Sequence, residues 1–169
     1  MEFQYELTEE DVVAFNVYHV KNSNLGRKSL RWQRVVSPLL FLLFAFFLSV
    51  STELETGPLF VVFGLTAILW AIYYPKYFYW HVTRQVRKAL KEGKNDGLVG
   101  SHVLKMNKQG LTDISSNGES KMTREAVKQF KEDVGHFYLY NSAVSAVIIP
   151  KRDVDAEAFR KFVNNWLGH

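Results

Sequence analysis

The sequence predicts an α+β protein: a two-helix transmembrane hairpin plus a small cytoplasmic antiparallel β domain closed by a C-terminal helix. Three observations lead there. Residues 35–50 (VVSPLLFLLFAFFLSV) and 59–74 (LFVVFGLTAILWAIYY) are two 16-residue runs without a charge. Basic residues crowd both outer ends of this pair and are missing from the loop between them. Beyond the pair the chain changes to short β-type runs with turn signals and finishes on one amphipathic stripe.

The chain divides into a cytoplasmic strand and helix (1–34), the hairpin (35–75, with spans at about 35–51 and 58–75), a basic juxtamembrane helix (76–94) and a β-rich domain with its closing helix (95–169). At the start, Phe3, Tyr5 and Leu7 alternate with Glu2, Gln4 and Glu6, the pattern of a half-buried strand. A lone strand is unstable in water, so this one is expected to pair with the later β domain. Thr8 then opens a helix as N-cap, with Glu9, Glu10 and Asp11 in the first turn, where the helix dipole favours anions. Its apolar positions run to about Asn22, and a loop is expected around residues 24–26.

The two uncharged runs are apolar on all sides. A soluble helix of that length keeps a polar face, and a buried strand ends sooner, so a membrane span accounts for them best. Each covers about 24 Å at the helical rise, and flanking residues extend it toward the ~30 Å hydrocarbon core. Trp32 on one side and Tyr73, Tyr74, Tyr77, Tyr79 and Trp80 on the other are the aromatics that favour the headgroup level. Segment 21–34 holds five basic residues and no acid, segment 76–94 six bases and one acid, and the connection 51–58 only Glu53 and Glu55. The positive-inside rule then places both termini in the cytoplasm of a multi-pass protein of the cell membrane. The acidic start and the 34 residues before the first run argue against a secretory signal.

Pro75 is expected to kink or end the second span, with helical periodicity resuming at 76–92. There Val82, Val86 and Leu90 form one stripe, and Arg84, Arg87, Lys88 and Lys91 the other side. Gly93, Gly97 and Gly100 read as linker glycines. Strands follow at HVLKMN, LTDIS and ESKMT, with an Asn117-Gly118 hairpin turn, then at 126–131, HFYLY and 143–149. Asn141 and Ser142 read as turn residues, and Pro150 stops the last strand. Asp153 or Asp155 caps a final helix whose Phe159, Phe162, Val163 and Trp166 recur at the spacing of a stripe that packs on a sheet.

Composition narrows the chemistry. The chain has 169 residues with 21 Lys+Arg against 17 Asp+Glu, too mild a balance for nucleic acid, and no stacking aromatics interleave with the bases. The absence of cysteine excludes thiol catalysis, disulfides and thiolate metal sites. The familiar nucleophile, zinc and phosphate-loop signatures are missing, so no catalytic, metal or cofactor-binding residue is assigned. His19, His81, His102, His136 and His169 are scattered, and the Asp153, Asp155, Glu157 alternation lacks the glycine and distal glutamate of a calcium loop. In the spans only Ser37, Ser49, Gly64 and Thr66 are small or weakly polar, without the ionisable groups of a transport path.

The opening FQYELTEEDVVAF, the two spans with basic flanks, and the closing strand to IIPKR with a last helix resemble the YcxB-like family of small bacterial membrane proteins. The resemblance covers essentially the whole chain. It implies a cytoplasmic β-rich domain laid out like a pleckstrin-homology (PH-like) domain and carried on a membrane hairpin, and it implies no activity.

Three function classes remain. The leading one is a membrane-anchored, non-enzymatic interaction or regulatory module, with the bilayer and a protein as partners. The second is an anionic-lipid sensor at the inner leaflet, with headgroup contacts from Arg27, Lys28, Arg31, Arg34, Lys76, Arg84, Arg87 and Lys88. The third is a small membrane enzyme or transporter accessory subunit. An enzyme needs mutually close ionisable residues in one cleft, whereas an adaptor needs an exposed apolar patch or sheet edge. Oligomeric state is not read from the sequence.

Overall fold

The computed structural model describes residues 1–93 and 98–168, which form two compact units. Gly97 and His169, named above, and Lys94, the last residue of the segment 76–94, lie outside the described residues. The first unit combines residues 1–18 with the chain from 85 onward, and the second holds residues 19–84.

In the first unit, β1 (Glu2–Leu7) and the start of α1 (Glu9–Asn22) join seven later elements: β2 (Gly100–Met106), β3 (Gly110–Ser115), β4 (Gly118–Thr123), β5 (Gln129–Glu132), β6 (His136–Tyr140), β7 (Ala146–Pro150) and α4 (Ala156–Leu167). All strands are antiparallel, in a four-stranded sheet ordered β1-β2-β3-β4 and a three-stranded sheet ordered β5-β6-β7. The N-terminal strand pairs with the edge of the later sheet as expected, with Phe3 opposite Leu104 and Tyr5 opposite His102. The β3–β4 hairpin closes with Ser115 opposite Gly118. Its loop residues are therefore Ser116 and Asn117, and Gly118 (φ 139°) takes the backbone angle that a side chain resists. The strand expected at 126–131 starts later, because Arg124–Ala126 make a 3₁₀ turn before β5.

The core is continuous between the sheets. Leu104, Phe137, Tyr138, Leu139 and Ile149 are fully buried, together with Phe159 and Val163 of α4. Phe159 lies 4.9 Å from the rings of both Phe3 and Phe137, so the closing helix touches both sheets rather than one. Phe162 is half-buried against the same cluster, and the Trp166 indole N–H donates to the Asn107 carbonyl at 2.5 Å. Asp155, not Asp153, caps the helix by accepting from the Glu157 and Ala158 N–H groups. Gly168 (φ 80°) ends it in the left-handed conformation.

The second unit is a helical hairpin. The helix α2 spans Asn24–Ser51 and α3 spans Thr56–Lys91, both long and apolar enough to cross a membrane. Only 6% of the most apolar 18-residue stretch of each is buried, which a soluble core helix would not tolerate. The helices meet through small residues, the buried Ala45 and Ala67, and through edge contacts of Phe41 on Trp70 and Phe44 on Phe63. Gly64 is not part of this seam, since a methyl group there would meet nothing within 4 Å. Ser49 and Thr66 bond back to the Phe46 and Val62 carbonyls of their own helices.

Two expectations are corrected here. The loop at 24–26 is absent: Ser23 caps α2 by accepting from the Gly26 N–H, so those residues form its first turn. Of the two outcomes expected at Pro75, a kink or an end, the end does not occur, for α3 is one helix to Lys91. A proline interrupts a helix partly because it leaves the carbonyl four residues back without a donor. In this chain that carbonyl belongs to Ala71, and the Arg34 Nε of α2 donates to it at 2.9 Å. Next to it the Trp70 indole N–H donates to the Gln33 carbonyl and the Tyr74 hydroxyl to the Gln33 side chain, a polar ledge joining the two helices.

Candidate functional site

Two polar clusters stand out in the β unit, and both sides of each come from distant parts of the chain. The first begins at Thr8, whose hydroxyl accepts from the Asp11 N–H at 3.3 Å while the Asp11 carboxylate accepts from the Thr8 N–H and hydroxyl. This reciprocal cap turns Asp11 inward, where it is 3% exposed. Arg152, in the 3₁₀ turn that follows β7, grips it with two parallel hydrogen bonds of 2.7 Å and adds a third to the Glu6 carbonyl. His136 Nε2 lies 2.8 Å from Asp11, and its Nδ1 lies 3.3 Å from Asp133, which also accepts from the Tyr138 hydroxyl. Lys151 and a two-point contact from Arg160 hold Glu132 alongside.

Burial raises the Asp11 carboxyl, but the Arg152, His136 and Thr8 bonds outweigh it and leave it well below the ordinary carboxylate range. Arg160 and Lys151 hold Glu132 down at about 2. Burial, with Asp133 alongside, pushes the Tyr138 phenol up. The carboxylates of this cluster face cations or donors, so it works as an ion-paired latch between α1 and the second sheet. It also gives the two short sequence motifs a physical reason: the acid of TEED and the arginine of IIPKR are partners.

The second cluster lines a cavity of about 420 Å³ at the open end of the space between the sheets. His102 on β2 is 5% exposed, with Nδ1 at 3.1 and 3.2 Å from the two Asp113 carboxylate oxygens on β3. The Tyr5 ring stacks on the imidazole at 5.4 Å, and its hydroxyl donates to Asp113 at 3.4 Å. Burial and the Asp113 charge push the Tyr5 phenol upward, so it stays a neutral donor. The other imidazole nitrogen, Nε2, is buried with no hydrogen-bond partner among the described residues, and the Asn141 amide oxygen on the same cavity is in the same position. Two close ionisable side chains therefore do share a cleft. The sequence offered no spacing signal for them, because Tyr5, His102 and Asp113 meet only through the β1-β2-β3 register.

The basic residues expected at lipid headgroups fall into smaller groups. Arg27, Lys28 and Arg31 line one open surface of α2 with Trp32, Val35 and Leu39. Arg34 is instead committed through Nε to Ala71. On α3, Lys76 is exposed, Arg84 sits over the Trp80 ring at 5.4 Å, Arg87 reaches Glu10 at 3.9 Å and Lys88 reaches Glu92 at 3.7 Å. Val86 and Leu90, on the other side of the helix, pack against the β-unit core. Among the described residues no three His, Asp or Glu side chains are grouped as a metal site.

Residues 107–163 match the family model described as YcxB-like protein. The match is about a third of the chain; it holds Asp113, Asp133, His136 and Arg152, and stops short of both the hairpin and β1. No match was found among curated proteins or among solved structures.

Proposed function

We propose that this chain with its YcxB-like segment is a membrane-anchored interaction module, whose hairpin crosses the bilayer and whose β unit works at the cytoplasmic face. One observation carries the reading: β1 precedes the two apolar helices, β2 follows them, and the two strands are hydrogen-bonded neighbours. A strand pair cannot form across a hydrocarbon core, so the chain must return to the side it left. Basic flanks and an acidic connection, Glu53 and Glu55, favour the cytoplasm for that side. The four-plus-three arrangement of strands with a closing C-terminal helix fits the PH-like layout that the resemblance implies.

Site-directed labelling tests the topology. With Thr56→Cys an impermeant maleimide should react on intact cells, and with Ser142→Cys only after lysis. Labelling of Thr56→Cys only after lysis refutes this topology.

A second reading, contact with anionic lipid, is favoured by one surface, where Arg27, Lys28 and Arg31 stand beside Trp32 and the apolar Val35 and Leu39. Bases beside an aromatic and an aliphatic strip suit a phosphate headgroup with its acyl chains. Added phosphatidylglycerol should raise the melting temperature of the detergent-solubilised chain more than phosphatidylcholine does. Replacing the three bases by Gln should remove the difference, and equal effects of the two lipids would refute the contact.

A further inference from the structure

We infer that the cavity between the two sheets is a binding site for a small primary amine, recognised by His102, Asp113 and Asn141. Both Asp113 oxygens lie within 3.2 Å of His102 Nδ1, so that nitrogen carries the proton and donates. In the neutral ring that tautomer leaves Nε2 as an acceptor, and it has no hydrogen-bond partner among the described residues. A buried polar atom without a partner forfeits its hydration, and a native fold keeps such an atom where something recoups the loss. The oxygen of Asn141, which also lines the cavity, has no hydrogen-bond partner among the described residues either, while its amide nitrogen is turned to the Met122 sulfur.

The lining decides which kind of molecule brings those donors. Asp113 and Glu119 are its carboxylates, the second paired at 3.3 Å with Lys121 outside the cavity lining, Ser115, Ser120 and Ser145 add hydroxyls, and no lysine or arginine is among the described lining residues. An anion would meet two carboxylates and two unmatched acceptors, which rules out a phosphate headgroup or a free carboxylate as the favoured occupant. An ammonium group supplies three donors and one positive charge, which match in kind the unpartnered acceptors and the Asp113 charge. The remaining wall is apolar, from Leu7, Leu98, Met122 and Ile148, so the ligand also carries a hydrocarbon part. A volume of about 420 Å³ lies in the range of small-molecule sites. This site is independent of the lipid surface on α2: it selects the opposite charge.

The test uses the full chain in phosphatidylcholine nanodiscs with ¹⁵N-labelled histidine. Phenethylamine is titrated against 3-phenylpropionate, a carboxylate of similar shape, with protein-free nanodiscs as control. The amine should shift the His102 imidazole signals saturably, and the carboxylate should not. Asp113→Asn should weaken the amine at least tenfold. If that variant fails to fold, Ser120→Trp, placed on an exposed wall position, narrows the cavity without touching the core and should weaken binding as much. The inference is overturned by a His102 signal that ignores the amine, by equal response to the carboxylate, or by unchanged affinity in Ser120→Trp.

Discussion

The β unit and the hairpin are built from similar side chains put to opposite uses. In the β unit Phe137, Leu139, Ile149 and Phe159 have no exposure at all, whereas in the hairpin Leu43, Phe46, Val61 and Leu69 are each more than half exposed. The polar groups are reversed too. Asp11, Asp133 and His136 are drawn into the β unit and matched there, while in the uncharged runs of the hairpin the Ser49 and Thr66 hydroxyls bond back to their own backbone. Burial inside the protein therefore organises one region, and the medium around the protein organises the other.

The contrast is most exposed to test where one kind of truncation is made in both regions. Phe159→Ala empties a fully buried position and should destabilise the β unit by about 3–5 kcal/mol, read as a large fall in melting temperature. Leu43→Ala, at a position 62% exposed, should leave that melting within about 0.5 kcal/mol. Comparable losses would mean that the hairpin is a packed protein core after all.

Charge removal should be nearly as costly in the β unit, and asymmetric. Arg152→Met leaves the buried Asp11 carboxylate without its cation and should cost about 3 kcal/mol or more in chemical denaturation. Asp11→Asn should cost less, since Arg152 is half exposed and regains water. A larger loss for Asp11→Asn would show that Asp11 holds α1 mainly through its cap. Charge insertion is the counterpart: Leu43→Arg should oppose membrane insertion by about 2.5–3.5 kcal/mol, depleting the alkali-resistant membrane fraction. Val144→Arg, at an exposed position of the β unit, should not change that fraction.

Acid separates the regions more gently. Glu132 sits at about 2 in the fold against an ordinary value of 4.5, so its contribution is complete above pH 4.5 and fades as pH falls toward 2. Near-UV circular dichroism should report loosening of the β unit over that window, and Glu132→Gln should flatten the profile; the uncharged runs of the hairpin have nothing to titrate. The smallest effect belongs to Glu10→Gln. Its 3.9 Å pair with Arg87 is exposed on both sides, and melting should move by less than about 0.5 kcal/mol.

Local pattern carried much of this architecture. The hairpin, the alternating face of β1, the Thr8 cap, a cap at Asp153 or Asp155 and the Phe159, Val163, Trp166 stripe each follow from residues a few positions apart, because helix and strand periodicity are local properties. The basic face of α3 opposite Val86 and Leu90 was legible for the same reason. What no local pattern contains is which distant side chains meet. Asp11 finds Arg152 across 141 positions, and Tyr5 finds Asp113 across 108. Pro75 spoke for a kink or an end, and the helix runs on with Arg34, 37 residues from Ala71, supplying the missing donor. In each case a polar group sets its neighbourhood by satisfying a hydrogen bond in three dimensions, and its partner can lie anywhere along the chain that the sheets and the hairpin bring within about 3 Å. The apolar surfaces were thus readable from one dimension, and the pairing of the polar groups was settled when β1 closed onto β2.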